Sequence, residues 1–171
     1  MRSSSKDISL RTFRGYLRGY GLIRNVMEPY FEQFGISGAQ WGVLRVLHDA
    51  QGKHSAGLRL TDLCQRLLVK PPSITVMVDR MERVGLLKRI VSATDQRTKC
   101  VALAPAGRRL VRQVLRVHTH QIRQVLAGLS RKEQAQLCRL LERMEVHLSS
   151  LVKAKPNRFL KNMSAYEEVK P

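Results

Sequence analysis

The sequence predicts a mainly α fold in the element order α-α-α-α-β-β-α-α, and three observations carry that prediction. Apolar residues recur at helical spacing near both ends of the 171-residue chain. Two capping-box patterns, Ser37-Gly-Ala-Gln40 and Ser130-Arg-Lys-Glu133, each stand directly before a helical apolar seam. Only residues 86–103 read as strands, as two runs about a polar turn.

Residues 8–34 carry Leu10, Phe13, Leu17, Tyr20, Met27, Phe31 and Phe34 along one helical line. Arg24 fills the skipped position, and Tyr16, Ile23 and Tyr30 form a second row beside it. The helix is therefore apolar over a wider arc than one neighbouring surface covers. Pro29 removes a backbone donor and should kink or restart it. Gly15 and Gly19 form a G-x-x-x-G spacing, read as close packing at most. The second helix runs from the Ser37 box through Trp41, Leu44, Val46 and Leu47 to about Ala50. Gly52–Gly57 is a turn, and Thr61 can cap a short helix from Asp62 to about Leu68 with Leu63, Leu67 and Leu68 inward.

After the short Val69-Lys70 connection comes a pair of prolines. Because Pro71 precedes a proline, Pro72 is the expected first helical residue. That helix runs to about Val84, and Gly85 stops it. Ile74, Met77, Val78 and Met81 form its buried line. Pro72, Val76, Asp79 and Arg83 lie opposite, with Ser73, Thr75 and Arg80 on the flanks. Strands Leu86–Val91 and Arg97–Leu103 bracket the polar turn Ser92–Gln96 as a projecting ribbon. Pro105 and Gly107 mark the start of a long helix lined by Leu110, Val114, Val117, Gln121, Val125 and Leu129. A companion row holds Val111, Leu115, His118, Ile122 and Leu126. The last helix turns Leu137, Leu140, Leu141, Met144, Leu148 and Leu151 inward, and Lys153–Pro171 is a tail.

Composition narrows the function. Hydrophobic residues make up 43% and charged residues 26%, a globular balance. Lys and Arg number 31 against 13 Asp and Glu, a net charge of +18, which points to a polyanionic partner: nucleic acid or an anionic membrane surface. The longest apolar run, Cys100–Ala104, has five residues and cannot span a bilayer. The start MRSSSKDISL has no apolar core of a signal peptide. Cys64, Cys100 and Cys138 are odd in number and widely spaced, which suits a reducing, cytoplasmic setting. No Cys-x-x-Cys, His-Glu-x-x-His, Gly-rich phosphate loop or supported Ser/His/Asp set is present, and His118 and His120 face different sides of a helix. No metal, no cofactor and no enzymatic activity are therefore expected.

The order helix, short helix, turn, helix, ribbon is a winged helix-turn-helix. Its second helix fits the major groove of B-DNA, with its N-terminal residues meeting base edges. The terminal helices hold more apolar surface than one chain buries, which a two-fold dimer resolves. The expected organisation is residues 8–36 and 104–152 as dimerisation helices, 37–103 as the DNA-binding lobe and 153–171 as the tail. Charge is not confined to the lobe. Residues 58–103 carry nine basic and four acidic residues, and 104–127 carry five arginines and no acid.

Several pieces in order resemble the multiple-antibiotic-resistance regulator (MarR) family. They are Thr61-Asp62-Leu63, Pro72-Ser73-Ile74-Thr75, Val78-Asp79-Arg80-Met81-Glu82, Gly85-Leu86-Leu87-Lys88-Arg89, Asp95-Gln96-Arg97 and Leu103-Ala104-Pro105-Ala106-Gly107. Ser37–Leu47 resembles the helix preceding the motif, and Ala104 departs from the family's usual Thr. The resemblance covers roughly residues 10 to 150. It implies a winged-helix homodimer that binds a pseudo-palindromic double-stranded operator, usually as a repressor, often released by a small anionic aromatic ligand or an oxidant.

Carried over by residue, Ser73, Thr75, Val76 and Arg80 would face the major groove, and Arg97 would reach toward the minor groove with Asp95 orienting the wing. Lys70 and Lys99 join them as cations beside the helix start and on the ribbon. The plain alternatives are that Ser73 only caps its helix, that Arg80 pairs with Asp79 or Glu82, that Arg97 pairs with Asp95, and that Lys70 is solvated. Tyr16, Tyr20, Arg24, Trp41, Arg45 and His48 could line a ligand cleft, since aromatics with a cation suit a phenolate or carboxylate. Against this, Tyr20 and Trp41 can be core aromatics. Oxidant-sensing relatives carry a thiol in the first helix, and this sequence has none there. Cys100 and Cys138 are expected as small core residues. The rival functional class is a winged-helix protein–protein or RNA-binding module without operator recognition, which would expose large apolar residues at the start of the second motif helix.

Overall fold

The computed structural model describes residues 7–51, 57–91 and 99–153. Among them run α1 (Ile8–Glu32), α2 (Gly38–Ala50), β1 (Leu58–Arg59), α3 (Leu60–Leu67), α4 (Pro71–Arg83), β2 (Leu87–Val91), β3 (Lys99–Leu103), α5 (Pro105–Val125) and α6 (Arg131–Lys153). The chain divides into two compact units, Met1–Val125 and Leu126–Pro171. Among the described residues no helix is long and apolar enough to cross a membrane.

In the first unit α2 is central and touches α1, α3, α5 and β3. Its capping box forms as expected: the Gln40 amide donates to Ser37 Oγ (3.2 Å) and the Ser37 amide to Gln40 Oε1 (2.8 Å). Val43, Leu44 and Leu47 turn inward and meet Leu63, Ile74, Val78, Met81, Leu103, Val111 and Val114 in one core. The sheet has the order β1-β3-β2, antiparallel throughout, with Leu87 opposite Leu103 and Leu58 opposite Val101. β1 is absent from the sequence-based order. Its two residues have no periodicity of their own and become a strand only by pairing with β3.

Several boundaries differ from the expected ones. α1 continues unbroken through Pro29, three residues before its end at Glu32, so there is no restart at the proline. α3 begins at Leu60 after Arg59, which makes no side-chain cap, so Thr61 lies inside the helix and is not its cap. Pro71 and not Pro72 is the first residue of α4. The extended geometry required before a proline falls instead on Lys70 (φ −75°, ψ 145°), and the two prolines occupy positions whose amides would have no helical partner. Leu68 is expected inward but is 90% exposed, because it ends α3 in the left-handed region (φ 54°) and swings away from the core.

The second unit opens on the other expected capping box. The Glu133 amide donates to Ser130 Oγ (3.3 Å), and the Ser130 amide donates back to Glu133 Oε2 (2.8 Å). The Ser130 hydroxyl hydrogen bond, followed by that from its amide, holds the Glu133 carboxyl below the ordinary carboxylate range. Gln134 Nε2 ties the preceding turn by donating to the carbonyls of Leu126 (3.1 Å) and Leu129 (2.8 Å). The chain turns after Val125, so Leu129 does not extend the α5 line. Leu137, Leu140, Leu141, Met144 and Leu148 are exposed, and so is Cys138, which donates to Glu142 (3.3 Å); among the described residues neither the inward line nor the core thiol is met.

Candidate nucleic-acid interface

The sequence forces a sharp exposed corner between α3 and α4. Leu68 closes α3, its own amide reaching back to Cys64 O, and Val69 and Lys70 lead directly into the proline pair. The first turn of α4 holds no acidic residue, and Lys70 stands at its N-cap without a side-chain cap. The free amides and the helix dipole there favour an anion.

Ile74, Val78 and Met81 anchor α4 in the core, which turns Pro72, Ser73, Val76, Arg80 and Arg83 to solvent. Ser73 is the third helical residue and exposed, not the cap. Val76 is 50% exposed. Thr75 is partly covered, and its hydroxyl donates to Pro71 O (3.0 Å). At the far end Gly85 takes φ +73°. The Leu86 amide closes on Met81 O and the Gly85 amide on Glu82 O (2.9 Å each), a Schellman stop that turns the chain into β2.

The acids of α4 do not pair with Arg80. Arg89 on β2 takes both: Nη2 donates to Asp79 (2.6 Å), Nη1 to Glu82 (2.6 Å), and its amide to Glu82 Oε1 (3.0 Å). The Asp79 hydrogen bond, more than any other contact, raises the Arg89 pKa, against a smaller lowering by burial. The clamp joins helix to ribbon and neutralises the only two carboxylates of α4. Its role was not legible in the sequence: ten residues and a chain reversal separate Arg89 from Asp79, and no spacing rule spans both. Lys99 is exposed at the start of β3, opposite Val91. Asp95 and Arg97 lie outside the described residues.

The six ligand candidates do not gather into one site. Tyr16, Tyr20 and Arg24 are exposed on α1. Arg45 pairs with Asp49 (2.9 Å), and His48 Nδ1 lies 3.3 Å from the same carboxylate. Trp41 is buried, stacked on Phe31 at 5.8 Å and edge-on to His118 at 5.1 Å. His118 also stacks on Tyr30 (5.9 Å), and its buried Nδ1 has no partner among the described residues. Burial first, and then the Arg45 charge, lower the His118 pKa. Among the described residues no group of three or more His, Cys, Asp or Glu is placed to hold a metal ion.

A sequence model of the MarR family matches residues 34–98, from just after α1 to the residue before β3. The homoprotocatechuate degradative operon repressor of Escherichia coli is 29% identical over 115 residues, 67% of this chain and 74% of the relative. The match to the family model spans 65 of the 171 residues, the stretch that holds α2, β1, α3, α4 and β2. Among solved structures, the MarR-family transcriptional regulator AbsC of Streptomyces coelicolor shares its fold, with a TM-score of 0.74 at 21% identity over 85% of this chain and 97% of AbsC. The Staphylococcus aureus MepR–DNA complex aligns with a TM-score of 0.68 at 25% identity over 85% of this chain and 99% of MepR.

Proposed function

We propose that this chain is a MarR-type, sequence-specific regulator that binds a pseudo-palindromic operator as a homodimer, acts as a repressor and is released by a small anionic aromatic ligand. One observation carries the DNA reading: α4 turns Ser73, Val76 and Arg80 to solvent beside Lys70, while Arg89 takes up both of its carboxylates. Small polar and apolar side chains with an arginine are what a major-groove helix needs to meet base edges. Lys99, and Arg97 with Asp95 orienting it, would serve the ribbon's contact with the backbone or minor groove. Residues 37–103 form the reader in this reading, and 8–36 with 104–152 the dimerisation part. Support comes from MepR, a relative in fold whose structure was solved with DNA, and from a relative named as an operon repressor. For the ligand, the exposed Tyr16, Tyr20 and Arg24 and the partly exposed Arg45 and His48 supply aromatic and cationic groups, while Trp41 would have to be reached from the core.

Leu68 and Val69, exposed at the turn before α4, are the observation that favours the rival protein-binding or RNA-binding module. Recovery of genomic fragments by the purified protein, followed by footprinting, separates the two. A two-fold symmetric protected site is expected, and Arg97→Ala should weaken binding to it without lowering helix content. Recovery of no preferred sequence would defeat the operator reading.

A further inference from the structure

Five polar side chains of α5 fall on one line: Arg109, Arg112, Arg116, His120 and Arg123, at steps of three, four, four and three. At 100° per residue they occupy an arc of about 80°. The arc is centred opposite Val111 and Val114, the buried face of the same helix. All five are exposed, and none hydrogen-bonds or ion-pairs with another side chain among the described residues. Arg108, just off the line, is different: its Nη1 donates to Leu103 O (2.7 Å) and is structural. The sequence holds no Asp or Glu from Gln96 to Lys132, so nothing nearby in the chain offsets the charge.

We propose that the exposed arginine ridge of α5, formed by Arg109, Arg112, Arg116 and Arg123, is a second phosphate-binding surface that grips duplex DNA independently of sequence. The inference rests on the DNA-binding reading and adds to it a surface separate from α4 and the ribbon. The ridge spans about 21 Å at 1.5 Å per residue, long enough to follow several successive phosphates. Arginine forks bind phosphate bidentately and suit such a track. The line contains no large apolar side chain, which speaks against cover by another helix. A second copy of the chain is a poor occupant, since it brings only 13 carboxylates against 31 cations.

The test titrates the full-length protein and its R112Q/R116Q/R123Q variant against a fluorescent 40-base-pair duplex of arbitrary sequence over a range of salt. These side chains are exposed, so the variant should keep the wild-type melting curve. Three lost phosphate contacts should flatten the slope of log K against log salt by roughly 2.7. Between 50 and 200 mM salt, the wild type should then lose about 40-fold more affinity than the variant. R112K/R116K/R123K should restore most of the slope, because charge is what the contact needs. Equal slopes in wild type and glutamine variant would overturn the ridge and leave α4 and the ribbon standing. A wild type that binds no duplex at any salt would overturn the DNA reading with it.

Discussion

His118 shows how a single side chain can make stability depend on pH. Its ring is held among Tyr30, Phe31 and Trp41, and the Tyr30 hydroxyl is committed to Val114 O (3.1 Å), so that phenol donates nothing to the orphaned Nδ1. Burial and the Arg45 charge both favour the neutral ring. Above the ordinary histidine value of 6.5 the ring is neutral folded and unfolded, and pH has no purchase on it. Below 6.5 the unfolded chain takes up a proton that the folded chain resists. Stability should therefore fall with pH from about 6.5 and level off below the lowered folded value. His118→Phe should flatten that fall, read as urea midpoints between pH 5 and 7.5 with Trp41, the only tryptophan, as the fluorescent probe. An unchanged pH slope in the variant would assign the effect to another group. The sequence placed His118 correctly on an apolar row of its helix, but it could not reveal the aromatic cage, whose members come from residues 30 to 118 and meet only through packing.

At the scale of elements, the helices were legible because each has a seam of apolar residues and most have a local start or stop signal. Both capping boxes form, and Gly85 ends α4 where expected. The misses fall where tertiary contact decides: β1 exists only against β3, and α3 starts without a side-chain cap. Gly107 was read as a marker of the α5 start, and the structure supplies its physical reason. A Cβ there would collide with Leu86 O, the carbonyl that also accepts from the Ala104 amide (3.0 Å). That carbonyl is backbone, tied to the Ala104 amide just before β2, and cannot step aside as a side chain would. Gly107→Ala should push α5 off the ribbon base and cost about 1–3 kcal/mol, the usual range for overpacking a tight site. A melting temperature equal to that of the wild type would mean that α5 can shift without loss. Because the strain sits where the helix leaves β3, DNA affinity should drop along with stability.

At the scale of the whole molecule, the apolar faces left open are the largest unresolved term. α1 exposes Phe13, Tyr16, Leu17, Tyr20 and Ile23, and no atom lies within 4 Å of a Cβ built on Gly15 or Gly19. The close packing expected of that Gly pair is not made among the described residues. α6 has 23 residues, and among the described residues it buries none from Arg131 to Val152, although Leu137, Leu140, Leu141, Met144 and Leu148 repeat at helical spacing. A helix draws most of its stability from a covered apolar face, and a single soluble chain rarely leaves patches of this extent open. In the proposed homodimer a second copy would supply the missing cover, with symmetry placing like against like. Light scattering should accordingly give a mass near twice the 19.5 kDa chain at micromolar concentration. Placing charge in the seams, as Leu140→Glu with Met144→Glu on α6 or Phe13→Asp with Leu17→Asp on α1, should shift the mass to one chain and lower helix content. The monomer should also bind a two-fold operator far more weakly, because only one recognition helix engages at a time. A wild type that remains a single chain with all of its helices intact would show that these faces are stable in water, and the dimer would then lose its physical basis.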